Sequence, residues 1–130
     1  MSNSYRHAQS SARRWGGDPE DYLKIHEFID GSKRAFGDVR HRALLHNTWG
    51  CWVAQEVFGP MLVIEKREGG EKRVPVREIV ERHIEEDLGF IPSPGDWLNH
   101  MNMVSWMGGR QHKFVGREHL LEKILKEGEK

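Results

Sequence analysis

Histidine and aspartate recur at a spacing of four residues in two parts of the chain. His26 and Asp30 form the first pair, and His83 and Asp87 form the second. On a helix, residues four apart lie one above the other on the same face. Imidazole nitrogens and carboxylate oxygens are ligands that zinc and similar divalent ions accept. The repeated pair therefore predicts a divalent metal site, with zinc as the best-suited ion.

Three histidines complete the predicted site. Catalytic zinc sites commonly use three protein ligands and leave one coordination position open. We expect His26, His46 and His83 to hold the ion. Asp30 or Asp87 would then be a further ligand, or the acceptor that orients one of the imidazoles.

Hydrolysis is the chemistry that such a site would support. A metal ion lowers the pKa of its bound water to about 7, which produces a nucleophile, and Glu86 is the candidate general base. None of the spacings is a tight signature such as H-E-x-x-H, however. The alternative is a structural network, because polar pairs one helical turn apart are common and stabilise helices by a few tenths of a kcal/mol. A metal-dependent hydrolase and a non-enzymatic binding module both stay open.

A second group of side chains predicts an anion site. Its candidate residues are His7, Ser10, Ser11, Lys33, Arg40, His41 and Arg42. Guanidinium groups bind phosphate oxygens in a two-pronged geometry, so a small phosphorylated or anionic ligand is the predicted partner. The alternative is that the two arginines pair with Asp38, Asp30 or Glu27 and only brace the chain.

Helix signals place these residues on neighbouring elements. Asp18 and Pro19 are typical of a helix start, which predicts a helix over residues 19–36 with Tyr22, Ile25, Ile29 and Phe36 as its apolar stripe. After a turn, a second helix is predicted over residues 39–57. The short connection makes the two helices an antiparallel hairpin that brings Asp30 and His46 together. His41 should face Lys33, Asp38 or the N-terminal segment instead.

The next segments predict a small β-hairpin and a third helix. Two strand-like runs flank Gly69-Gly70 within residues 61–75. The third helix should run from residue 76 or 77 to residue 88, with Gly89 as its cap. A short helix over residues 97–103 would follow, and Trp97, Leu98, Met101 and Trp106 are predicted to close the core.

The two ends of the chain are predicted to differ from its centre. Residues 1–17 suit an irregular arm, and residues 18–107 form the predicted helical core. In the extension 108–130, an apolar stripe of Leu120, Leu121, Ile124 and Leu125 predicts an amphipathic helix. That stripe must be buried on its own domain or on a second copy, which leaves a homodimer open. The predicted fold is mainly α (α+β), a compact helical bundle in a single domain.

Bulk composition narrows the function classes. Positive and negative residues number 20 each, so the formal charge is zero and nucleic-acid binding is not indicated. There is no window of about 18 apolar residues and no signal-peptide pattern, so we expect a cytoplasmic protein without a membrane segment. Cys51 is the single cysteine, which excludes an internal disulfide. Its expected burial makes the thiol an unsuitable nucleophile.

Several motifs together resemble a known family. They are HAQSSARRWGG, YLKIHEFID-x-SK, D-x-RHRALLHN, VPVREI, HIEEDLG-x-IP, DWL and WM, and they cover about residues 6–107. The family is one of small bacterial and phage proteins described as domain of unknown function 6915. The resemblance implies no particular activity. It leaves open an accessory or counter-defence protein that holds an anionic ligand or a protein partner.

The family pattern coincides with the candidate site residues. It covers every site residue named above and adds Ser32, Asp38 and Gly89. A further histidine is often found in the family where this chain has Asn47, so this chain has one potential ligand fewer.

Overall fold

The computed structural model describes residues 3–110 and 124–125 of the chain. Helices predominate, and one two-stranded antiparallel hairpin lies between two of them, which confirms the predicted mainly α (α+β) class. The α-helices and strands are α1 Ser4–Trp15, α2 Pro19–Asp30, α3 Arg42–Leu45, α4 Thr48–Phe58, β1 Met61–Glu65, β2 Glu71–Pro75, α5 Val76–Leu88 and α6 Pro94–Leu98. Short 3-10 helices span Gly31–Arg34, Val39–His41 and Ser105–Gly108.

The N-terminal segment is a regular helix, so the predicted irregular arm at residues 1–17 is wrong. Asn3 caps α1, because its side-chain oxygen accepts a hydrogen bond from the Arg6 backbone N–H at 2.9 Å. The buried residues of α1 are His7, Ala8, Ser10 and Ser11. Ala8, Ala12 and Trp15 pack on the core at helical spacing, but three of the four fully buried residues are polar, which weakens the apolar periodicity by which a helix is recognised in a sequence.

The second helix begins as predicted and ends early. The Asp18 backbone N–H donates to the Asp21 carboxylate at 2.8 Å at the start of α2. Instead of continuing to residue 36, α2 ends at Asp30, and the chain tightens into the 3-10 helix Gly31–Arg34. Phe36 is consequently exposed, whereas the rest of the predicted stripe is buried. The early end leaves Asp30 as the last residue of α2.

The predicted helix over residues 39–57 is interrupted, which corrects that prediction. α3 ends before His46, and Asn47 caps α4 by accepting a hydrogen bond from the Gly50 backbone N–H at 2.8 Å. A Cβ atom at Gly50 would lie 1.8 Å from the carbonyl oxygen of Leu45, so only glycine permits this tight connection. The break leaves His46 outside any regular helix.

The β-hairpin and the third helix agree with the sequence. The strands pair antiparallel from Met61 opposite Pro75 to Glu65 opposite Glu71. Gly69 and Gly70 have φ values of 91° and 85°, which side chains other than glycine rarely adopt. α5 ends at the predicted cap, Gly89.

An apolar core lies among α1, α2, α4, α5 and the hairpin. Its buried members are Ala8, Tyr22, Ile25, Ile29, Cys51, Ala54, Ile64, Val74, Val76, Ile79, Val80 and Ile84. Burial raises the pKa of the Cys51 thiol to about 11. None of the helices in the described ranges is long and apolar enough to cross a bilayer.

The chain divides into two compact units, Met1–Gly95 and Asp96–Lys130. The single domain over residues 1–130 stays a prediction. The predicted helix over residues 97–103 is wrong, because α6 ends at Leu98 after little more than one turn. Leu98, Met101 and Trp106, which were predicted to be buried, are exposed. In the predicted C-terminal helix, Leu120 and Leu121 lie outside the described residues.

Candidate metal centre

Four side chains form a compact ligand group in the first unit. It comprises Asp30 at the end of α2, His46 in the break between α3 and α4, and His83 and Asp87 on α5. One ligand atom from each of them lies within 4.8 Å of the other three. We call these residues the four-ligand group. Two of these four residues, Asp30 and His46, therefore lie at points where a helix ends earlier than predicted.

Each imidazole in the group faces both carboxylates. His83 Nε2 lies 3.1 Å from Asp30 Oδ1 and 3.3 Å from Asp87 Oδ2. His46 Nε2 lies 3.0 Å from Asp87 Oδ2 and 3.7 Å from Asp30 Oδ1. Zinc ligands stand about 2.0–2.2 Å from the ion, so at the corners of a tetrahedron they are about 3.3–3.6 Å apart. The four measured distances bracket that spacing.

The group carries negative charge in a buried place. The side chains of His46 and His83 are 0% exposed, that of Asp87 is 4% exposed and that of Asp30 is 10% exposed. Burial opposes ionisation of Asp30, but hydrogen bonds from His83 and Ser4 lower its pKa to about 2. Burial likewise opposes ionisation of Asp87, yet the close approach of His46, His7 and His83 holds its pKa far below the usual range. Both carboxylates are therefore ionised at neutral pH.

His26 lies behind His83 and outside the four-ligand group, which corrects its predicted place beside His46 and His83. Its Nδ1 is 2.8 Å from His83 Nδ1, and its Nε2 is 2.8 Å from Ser11 Oγ. Only one of two facing ring nitrogens can carry the shared proton. If His83 Nε2 binds a metal, His83 donates from Nδ1 to His26, and His26 donates from Nε2 to Ser11. His26 is thus placed to orient a ligand.

The outer oxygens of both carboxylates are held by α1. Asp30 Oδ2 accepts a hydrogen bond from Ser4 Oγ at 3.0 Å. Asp87 Oδ1 lies 3.2 Å from His7 Nε2. Each aspartate therefore directs one oxygen to the group and is positioned through the other, an arrangement that is common around bound metals.

His7 links the group to Glu86. Its Nδ1 lies 2.9 Å from Glu86 Oε1, and its ring stacks on His83 with centroids 3.7 Å apart. Burial lowers the pKa of His7, but hydrogen bonds to Asp87 and Glu86 outweigh burial and raise it. Because both ring nitrogens face carboxylates, the imidazolium form fits this position. Ser10 Oγ also donates to Glu86.

One protein family matches the part of the chain that contains this site. The model of a family described as Domain of unknown function (DUF6915) matches residues 2–107. The chain belongs to this family. The match covers α1 to α6 and every residue of the site, which confirms the resemblance predicted from the motifs. No curated protein and no solved structure matches the chain.

The predicted anion-binding residues of this DUF6915 chain do not share one pocket. His7, Ser10 and Ser11 lie on α1 beside the histidines. Arg40, with its side chain 74% exposed, pairs with Asp38 at 2.7 Å, which is the bracing role considered as the alternative.

The remaining members are divided as well. Lys33 lies in the 3-10 helix Gly31–Arg34. His41 is buried, its Nδ1 lies 2.8 Å from Ser32 Oγ, and its ring interacts electrostatically with Lys33 and Asp38. Arg42 approaches the four-ligand group, with Nη2 3.9 Å from Asp87 Oδ1, and the His41 ring lies edge-on to the His46 ring with centroids 5.9 Å apart.

Sequence reasoning missed Ser4 and the connection between His7 and the metal candidates. The signals were present, because Asn3 is a good helix cap and His7, Ser10 and Ser11 have helical spacing. They were overlooked because the buried face of α1 is mostly polar, whereas a helix is usually recognised in a sequence by its apolar face.

We expect the metal-free DUF6915 domain to lose stability as the pH falls below about 6.5. Burial, together with the imidazoles of His83 and His7, lowers the pKa of His26 to about 2. The unfolded chain takes up a proton on His26 near pH 6.5, and the folded chain does not. Stability from this group is therefore complete above pH 6.5, and it falls by up to about 1.4 kcal/mol per pH unit below it.

Urea unfolding of the wild type and of His26→Asn, in chelator between pH 7.5 and 4.5, measures this effect. His46 titrates in the same sense, because burial lowers its pKa, and His7 in the opposite sense. The difference in the free energy of unfolding between the wild type and His26→Asn reports the contribution of His26. This difference should become smaller as the pH falls below 6.5. His100→Asn, at an exposed position, is the control. A constant difference across this range would contradict the prediction.

Proposed function

We propose that this chain binds one divalent metal ion through His46 Nε2, His83 Nε2, Asp30 Oδ1 and Asp87 Oδ2. Two spacings carry the proposal: four distances between these nitrogen and oxygen atoms are 3.0–3.7 Å, and one ligand atom from each of the four residues lies within 4.8 Å of the others. Residues 30, 46 and 83–87 are far apart in the sequence. Their ligand atoms nonetheless meet at one point, as binding of a single ion requires.

Zinc suits this ligand set best. Two imidazoles and two carboxylates combine nitrogen and oxygen donors, which zinc accepts in tetrahedral geometry. Magnesium and calcium prefer all-oxygen sites with six or more ligands. The charge also fits, because Asp30 and Asp87 are both ionised and a divalent ion offsets them.

The burial of the ligands favours a metal that holds elements together. Four protein ligands fill a tetrahedral zinc, whereas a hydrolytic site keeps a position for water. Here no ligand side chain is more than 10% exposed. Glu86, the predicted general base, contacts His7 and Ser10. A metal that joins α2, the α3–α4 break and α5 is therefore our leading proposal, and hydrolysis stays a prediction from the sequence.

The alternative explanation is that hydrogen bonds, without a metal ion, connect these four side chains. The contacts of His83 with Asp30 and of His46 with Asp87, at 3.1 and 3.0 Å, also have hydrogen-bond length. In that case His83 carries its proton on Nε2, and the proton order through His26 and Ser11 is reversed. The histidines would then form a purely structural network.

Elemental analysis of the protein purified without a histidine tag separates the two explanations. We expect one equivalent of a transition metal, zinc foremost, to remain after dialysis against metal-free buffer. Cobalt substituted into the site should show the visible absorption of a tetrahedral ion. A protein that retains no metal, and whose melting temperature is the same with and without added zinc, would leave the hydrogen-bonded network as the answer.

A further inference from the structure

Arg42 borders the four-ligand group and lacks adequate partners. It precedes His46 by four residues, and its side chain is only 16% exposed. The distance of 3.9 Å from Nη2 to Asp87 Oδ1 is too long for a hydrogen bond. Within the part of the chain that the structure describes, its Nε atom is buried and has no hydrogen-bond partner. Arg42 therefore has N–H donors available for a ligand beside the proposed metal site.

A buried N–H donor without a partner, such as Arg42 Nε, indicates a position for a hydrogen-bond acceptor. A guanidinium group carries five N–H bonds in a planar fork, and buried donors in folded proteins are nearly always paired. Arg40, two residues earlier, illustrates the satisfied case, since its Nε and Nη2 atoms both donate to Asp38. Arg42 has no such carboxylate within hydrogen-bond length among the described residues.

The charges around the group also leave Arg42 uncompensated once a metal is bound. A divalent ion offsets Asp30 and Asp87, which face it directly. Glu86 has other partners, because it lies 2.9 Å from His7 Nδ1 and 3.9 Å from Arg82 Nε. Because the ion would neutralise Asp87, the carboxylate that Arg42 approaches, the guanidinium group of Arg42 would attract an anion.

We propose that the metal-loaded centre binds a small oxyanion, of the phosphate or carboxylate class, against the guanidinium group of Arg42. This inference rests on the proposed metal site. Two oxygens of such an anion match the two-pronged arginine geometry, and one oxygen can accept from Nε. The oxyanion site therefore involves Arg42 alone among the two arginines that the sequence suggested.

Calorimetric titration of zinc-loaded protein with inorganic phosphate, and separately with acetate, tests the proposal. Arg42→Met should weaken binding of the preferred anion at least about ten-fold, because charge-assisted hydrogen bonds are lost. Arg42→Lys keeps the charge beside Asp87 but not the fork, and it should give an intermediate loss. Arg40→Met is the matched control and should bind as the wild type does.

Zinc content, measured on every protein used, separates the two proposals. If all variants hold one zinc and Arg42→Met binds both anions as the wild type does, the oxyanion site is overturned and the metal site stands. The same holds if zinc-loaded wild type binds neither anion. If the wild type holds no zinc, the metal site is overturned, and the oxyanion site with it. Should Arg42→Met fail to fold, Arg42→Lys decides between the same outcomes.

Discussion

Replacing Asp87 with asparagine should reduce metal affinity by more than about 100-fold. Loss of a residue that only orients a ligand commonly costs 10–100-fold, and Asp87 is itself a proposed ligand. Its carboxylate lies 3.0 Å from His46 Nε2, 3.3 Å from His83 Nε2 and 3.2 Å from His7 Nε2. Asparagine keeps the shape and removes the charge, so the ion loses one of two anionic ligands. Zinc titration with a competing chelator measures the loss.

Two matched variants give this experiment its meaning. Asp38→Asn changes an exposed aspartate that pairs with Arg40, and it should retain full metal content. Glu86→Gln removes the negative charge beside His7 without changing a residue of the four-ligand group, and it should show a smaller loss than Asp87→Asn. Equal zinc affinity in the wild type and Asp87→Asn would contradict the ligand assignment.

Removing the metal should lower the melting temperature by about 10–20 °C. An ion that binds only the folded state stabilises it by about 2.7 kcal/mol when free metal is 100 times Kd. In a domain of about 100 residues, each kcal/mol shifts the melting temperature by about 4–8 °C. The ligands join α2, the α3–α4 break and α5. The ion would therefore hold together segments that are far apart in the sequence. It would do so only in the folded state, which it stabilises for that reason. Differential scanning calorimetry with zinc and with chelator measures the shift.

The same comparison in Asp87→Asn is the control for this second effect. Its melting temperature should respond much less to zinc or to chelator, because a loss of about 100-fold in affinity removes most of the stabilisation by the ion. Wild-type protein refilled with zinc after chelation should regain its original melting temperature. A wild type that melts at one temperature under all these conditions would leave no structural role for a metal.

Local rules were sufficient where the residues of one element decide its conformation. The start of α2 at Pro19, the hairpin turn at Gly69-Gly70 and the end of α5 at Gly89 were all predicted, because each depends on the conformational preferences of residues adjacent in the chain. The spacing of His83 and Asp87 on one helical face was predictable for the same reason.

Local rules failed where distant parts of the chain determine the structure. The polar face of α1 is buried because His26, Asp30 and Glu86 provide partners for its serines and for His7, and no local pattern reveals those partners. The break at His46 depends on the close approach of Gly50 to Leu45. Sequence spacing alone therefore placed His26 in the ligand set, whereas contacts between helices place it behind His83.

The amino-acid sequence by itself determined which side chains are available for chemistry. It supplied the mainly α fold class, the repeated histidine and aspartate pairs and the family membership of the chain. Tertiary structure alone decided which of these side chains face one another, because an imidazole nitrogen and a carboxylate oxygen can coordinate one ion only when the packing of separate helices brings them within a few ångströms. That packing brought together Asp30, His46, His83 and Asp87 and set Arg42 beside them.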